Sequence, residues 1–180
     1  MSNVMKNKKL EKLIIAVTAV FVIVSLWFMF GGDLFIPRSD AIRGDSTQMM
    51  EATNATEEIK DGTVIEQRFV CSADTISKVG IVFARDYTIS GVRLTIELLQ
   101  KNKTVAINSY DVSEIEDQHR TFVVPPEALT GTRNKEFTIR IYTISDEETG
   151  LKLLYNAQSG SDFLFGRDKV KGTLCFSVTE

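Results

Sequence analysis

The chain has 180 residues, 21 of them basic and 24 acidic, for a net charge of −3. An acidic chain with no long basic run is not built for nucleic acid. With 2 cysteines and 1 histidine it lacks a cysteine-rich framework or a histidine cluster, so neither a metal site nor a cofactor is expected.

In chain order, Lys6, Lys8, Lys9 and Lys12 stand against Glu11 in a short basic tail, residues 1–12. Residues 13–30, LIIAVTAVFVIVSLWFMF, then run for 18 residues without a charge, 12 of them Leu, Ile, Val or Phe. As a helix this stretch spans roughly 27 Å at 1.5 Å per residue, close to the ~30 Å hydrocarbon core of a bilayer. The pattern predicts a transmembrane helix whose partner is membrane lipid. Beyond it, Asp33, Arg38, Asp40, Arg43 and Asp45 nearly cancel, so the basic end should stay in the cytoplasm and the rest outside. Trp27, Phe28 and Phe30 suit the outer interface.

A cleaved signal peptide is the competing reading, with an apolar region of usually about 7 to 15 residues and a small-x-small site. Cleavage after Gly31 or Gly32 would put Met29 or Phe30 where a small side chain is needed. A single-pass signal anchor in the cell membrane is therefore expected. The tail holds 4 of the basic and 1 of the acidic residues, which leaves 17 and 23, or −6, for residues 33–180.

Residues 31–60 lack sustained periodicity and read as an extracytoplasmic stalk. Asn54-Ala55-Thr56 and Asn102-Lys103-Thr104 match the glycosylation sequon, which matters only where the host glycosylates outside proteins. From residue 61 the signal becomes short alternating runs. Val92, Leu94, Ile96 and Leu98 alternate with Arg93, Thr95 and Glu97, and Phe137, Ile139 and Ile141 with Thr138, Arg140 and Tyr142. This is the period of a half-buried strand. The strands expected are 64–71, 79–84, 91–100, 104–111, 120–124, 137–142, 152–155 and 173–178. Lys101-Asn102-Lys103 reads as a hairpin turn, residues 113–118 as one helical turn, and Pro125-Pro126 as a ladder break. About eight short strands with no long amphipathic helix indicate an all-β fold, an antiparallel β-sandwich or jelly roll over 61–180.

The runs DGTVIEQRF from Asp61, GIVFA from Gly80 and GVRLTIEL from Gly91 carry a resemblance, continued by SEIED from Ser113 and KEFTIRI from Lys135. Over residues 62–178 the chain resembles the galactose-binding-domain-like jelly-roll modules attached to membrane proteins of Gram-positive bacteria. The resemblance implies a non-catalytic module, often beside glycosyltransferase or cell-surface polysaccharide machinery. It transfers no set of binding residues. The only tryptophan, Trp27, lies in the predicted span, so an exterior Trp platform for stacking sugars is missing.

Enzyme chemistry finds little to stand on. A triad or a histidine-based metal site would have to be built on His119, beside Arg120, which reads as a solvated surface residue. Asp146-Glu147-Glu148 before Thr149-Gly150 reads as a solvated hairpin loop rather than a glycosidase pair. No phosphate-cradling loop or nucleophile elbow appears. Cys71 and Cys175 lie on the first and last strong strands. Cys71 shares the face of Phe69 and Ile65, whereas Cys175 lies opposite Leu174 and Phe176, so parity argues against a bridge unless a bulge intervenes.

Strand parity nominates a ligand-binding surface: Arg93, Glu97, Asn108, Tyr110, Arg140 and Tyr142, all read as facing outward. Tyrosine rings beside Arg and Asn suit stacking on a sugar while bonding its hydroxyls; an ordinary solvated sheet face is the alternative. A second candidate is the loop 159–169, with Phe163 and Phe165 among Asp162 and Asp168, whose phenylalanines read as anchors and whose aspartates complete no calcium loop. The expected partners are a glycan or other cell-envelope ligand or, in the alternative of an accessory subunit that scaffolds a complex, a membrane protein.

Overall fold

The computed structural model describes Thr18 and residues 41–43, 45–145 and 147–180. Thr18 apart, the basic tail and the predicted membrane span lie outside these residues. Among the described residues no helix is long and apolar enough to cross a membrane.

Among the described residues fifteen strands follow one another: β1 Ile42–Arg43, β2 Asn54–Ala55, β3 Val64–Val70, β4 Thr75–Ile76, β5 Lys78–Arg85, β6 Arg93–Gln100, β7 Lys103–Asp111, β8 Arg120–Val123, β9 Leu129–Thr130, β10 Glu136–Thr143, β11 Leu151–Asn156, β12 Asp162–Phe165, β13 Asp168–Lys171, β14 Thr173–Leu174 and β15 Phe176–Thr179. A 3₁₀ turn, Val112–Glu114, is the only helical element among the described residues that follow β1. The protein is all-β, as expected.

The larger sheet has the order β13-β12-β3-β10-β6-β7, with β1 added beside β3 in parallel. The smaller runs β14-β11-β5-β15, with β2 on β11 and β8 on β5. Apart from β1, the pairings are antiparallel. Each long strand buries alternate residues. In β10, Phe137, Ile139 and Ile141 are buried between half-exposed Thr138, Arg140 and Tyr142, because the pleat sends neighbours to opposite faces. Ile65 and Phe69 of β3, Leu94, Ile96 and Leu98 of β6, and Phe163 of β12 complete the larger sheet's inner face. Val79, Ile81 and Phe83 of β5, Leu151 and Leu153 of β11, and Phe176 and Val178 of β15 answer from the smaller sheet. Phe69 links the two, its ring centroid 5.8 Å from Phe137 and 4.9 Å from Phe176. Burying each such side chain contributes about 1.5–3 kcal/mol.

Polar groups share this core, Gln67 among them. Gln67 is fully buried, yet its amide donates to the carbonyls of Arg68 and Asp162, and its oxygen accepts from the Leu174 N–H. Such satisfaction is required of a buried amide.

The eight expected strands are present, and the hairpin turn is as expected, with Lys101 and Asn102 both at positive φ. Three features differ from expectation. Within the expected stalk, β1 pairs with β3, β2 pairs with β11, Ser46 is buried and Ile59 is fully buried in the core. These residues form a strap along the sandwich. The loop 159–169 contains most of a hairpin, β12–β13, whose Phe163 is buried in the core. The last strand breaks at Cys175, so that Leu174, Cys175 and Phe176 are buried in succession. Parity fails there, and both cysteines are buried free thiols.

Candidate functional site

Arg140 stands at the centre of the larger sheet's outer face. Antiparallel register sets it opposite Glu66 on β3 and Glu97 on β6, where directly opposed side chains share a face. Its guanidinium bonds Glu66 at 2.7 Å and lies 3.5 Å from Glu97, while the Tyr142 hydroxyl donates to Glu97 at 3.2 Å. Burial, then the Glu97 charge, raises the Tyr142 pKa. One pleat along, Arg68 takes both oxygens of Glu136 at 2.6 Å. Arg93, Glu97, Arg140 and Tyr142 therefore share one face, as expected. The charges of Arg68, Arg140, Glu66, Glu97 and Glu136 are already paired with one another.

Asn108 and Tyr110 do not belong to that face. Register puts Asn108 opposite Ile96 and Tyr110 opposite Leu94, both core residues, while Ile107 faces outward beside Glu97 and is 54 % exposed. The expectation misread β7, because its apolar Val105 and Ile107 look like the inward set. A register shift between Leu98 and Leu99 sets the true phase. From the inner face of this edge strand both side chains reach β8 of the other sheet. The Tyr110 hydroxyl donates to the Phe122 carbonyl, and the Asn108 side-chain oxygen accepts from the Val124 N–H at 2.8 Å. Burial raises the Tyr110 pKa, with a smaller push from Glu114.

Tyr110 instead lines a depression of about 640 Å³ beside the outer face of the smaller sheet. Met49 of the strap, Val82 of β5, and Arg120 and Phe122 of β8 also line it, with Glu114, Glu116, Gln118 and His119 from the β7–β8 connection. The floor depends on Gly80. A Cβ there would come within 2.9 Å of the Phe122 ring and 3.4 Å of the Arg120 stem, so the missing side chain lets both lie close to the sheet. Lys78 sits 4.4 Å from the Phe122 ring centroid, a cation–π contact. In the same cross-strand row, opposite Gly80, the buried Ser177 hydroxyl has no hydrogen-bond partner.

The wall is pinned at several points. Asp111 caps the 3₁₀ turn by accepting from the Ser113 hydroxyl at 2.6 Å and its N–H at 2.9 Å, and those bonds hold its carboxyl below the usual range. Arg85 donates to the Ile115 carbonyl at 2.8 Å, and its own N–H is held by Asp117 at 2.9 Å. Gln118 takes a left-handed backbone, φ +57°, and its N–H donates to the Phe83 carbonyl at 2.8 Å. For a residue with a Cβ that conformation is uncommon outside constrained turns.

No family model and no curated protein matches the chain. Chemistry must be read from the residues themselves. His119 is exposed, its Nδ1 2.9 Å from the Asp117 carbonyl oxygen and 3.6 Å from Glu116; nothing places it beside a nucleophile. Glu148 pairs with Lys60 at 3.2 Å, and Asp146 lies outside the described residues. Asp162 is bound to Lys169 at 2.8 Å. Among the described residues no group of three His, Cys, Asp or Glu could hold a metal ion. The arrangement offers apolar floor and fixed hydrogen-bonding groups, which is what a binding site needs. Sequence reasoning reached Tyr110 by a wrong parity and missed Gln118, Arg120 and Phe122. Glycine at position 80 opposite an aromatic strand was the available signal.

Proposed function

We propose that this protein is a membrane-anchored, extracytoplasmic, non-catalytic β-sandwich of jelly-roll type that binds carbohydrate of the cell envelope. The basic tail and the apolar run of residues 13–30 support the anchor, with the N-terminus cytoplasmic. The depression beside β8 carries the binding reading. At about 640 Å³ it is of ligand-site size, and it combines the Phe122 and Tyr110 rings on strands with side chains of the pinned β7–β8 connection able to bond hydroxyls. The resemblance to galactose-binding-domain-like modules points the same way.

The test is a glycan screen of the purified full-length chain, with cell-wall polymers included. Reproducible binding that Phe122→Ala abolishes, with the thermal midpoint preserved, supports the reading; failure of folded protein to bind any polymer overturns it. A second reading, an accessory subunit that scaffolds an envelope complex, is supported by exposed Ile107 on edge strand β7, since unpaired edges add strands from partners. Crosslinking from position 107 in intact cells would recover that neighbour.

A further inference from the structure

We infer that the depression takes an anionic saccharide, a sugar unit bearing a carboxylate or phosphate, with Arg120 as the group that receives the charge. The inference rests on the carbohydrate reading above and narrows it.

Its ground is the contrast between spent and unspent groups. On the larger sheet, Arg68 and Arg140 are each engaged by glutamates at 2.6 Å and 2.7 Å. Arg120 has no acceptor among the described residues, although Gly80 leaves room for its stem to lie on the sheet, 3.4 Å from where a Cβ would stand. A guanidinium with its stem so placed presents a planar fork suited to two oxygens of one anion. Gln118, two residues away, also has an amide with no partner among the described residues, on a backbone fixed by its bond to Phe83.

The acidic residues decide the rest of the ligand. Glu114 and Glu116 line the same depression, and two carboxylates would repel a bare phosphate or carboxylate ion. They accept well from hydroxyls. A ligand with an anionic group at one end and hydroxyls at the other satisfies both halves, while Val82, Phe122 and Met49 offer apolar contact for the ring carbons. A neutral sugar would use Arg120 only as a donor to hydroxyls and leave its charge unmatched.

The test measures affinity of the full-length chain for a uronic-acid polymer, its carboxyl-reduced neutral counterpart and a polyol-phosphate polymer. Wild type, Arg120→Gln and Arg93→Gln are compared; Arg93 is a guanidinium on the opposite sheet and controls for bulk charge. The expected result is a preference of at least about tenfold for one or both anionic polymers, the size of a charge-assisted hydrogen bond. Arg120→Gln should erase that preference without lowering the thermal midpoint, and Arg93→Gln should leave it intact. Which anionic polymer wins separates carboxylate from phosphate. Equal binding of neutral and anionic polymers, or equal loss in both variants, overturns the inference while leaving carbohydrate binding in place. No binding to any polymer removes both.

Discussion

Tyr110 on the edge of the larger sheet donates its hydroxyl hydrogen to the backbone carbonyl of Phe122 in the smaller sheet. This bond, with Asn108 to Val124, joins the two sheets along one open side and sets the position of the strand carrying Arg120. Tyr110→Phe should cost about 1 kcal/mol, the usual net value of such a bond. Amide exchange at Val124, the neighbouring link, should speed up. An unchanged urea midpoint and unchanged exchange would show that β8 is held by its β5 pairing alone.

Ile59→Ala should cost about 2–5 kcal/mol, the range for truncating a fully buried Ile. Ile59 is fully buried, and its N–H bonds the Leu151 carbonyl at 2.8 Å. Equilibrium urea unfolding measures the loss. A fragment beginning at Asp61 should be less stable still, because it also lacks β1, β2 and the Ser46 contacts.

Arg140→Gln should destabilise by about 1 kcal/mol, discounted for a guanidinium side chain 37 % exposed. It leaves Glu66 and Glu97 without their shared cation on either side of β10, so the loss should shrink at high salt. Comparing midpoints at low and high ionic strength checks the sign; a loss that grows with salt would contradict the pairing.

Cys175 supplies a pH dependence. Burial pushes its thiol from 9.0 up to about 11. Between those values the unfolded chain has released a proton that the native state retains, so native stability should fall as pH rises from about 9 to about 11. Cys175→Ala should flatten that decline. Alkylation of the native protein at neutral pH should be slow, because a buried thiol supplies little thiolate.

The long strands were legible because one face of each is buried, and alternation records that directly. What stayed hidden was set by tertiary partners. Asn54–Ala55 and Leu129–Thr130 are strands only because β11 and β4 lie alongside, and two residues carry no period. Gly160 and Gly166 made the β12–β13 hairpin look like loop. At β7 the pattern misled, since Ile107 outside and Asn108 inside invert the ordinary sorting of polar and apolar residues. The inversion is itself informative: those inward polar groups bond β8, and they shape the depression.

The strap has a consequence for how the chain assembles. Beyond β1, several of its partners come late in the sequence. The Ser46 carbonyl accepts from the Val178 N–H at 2.7 Å, and Thr53, Thr56 and Ile59 bond Tyr155, Leu153 and Leu151. Strap residues 53–59 therefore find these partners only after most of the chain has been made, and pairings so distant in sequence are slow to form. Until then Ile59 and Met50 are bare, and the newborn segment depends on its surroundings to keep it from other partners. Loss of only the last strand would take away the Val178 hold on Ser46 and leave that residue to its bonds with Ser72.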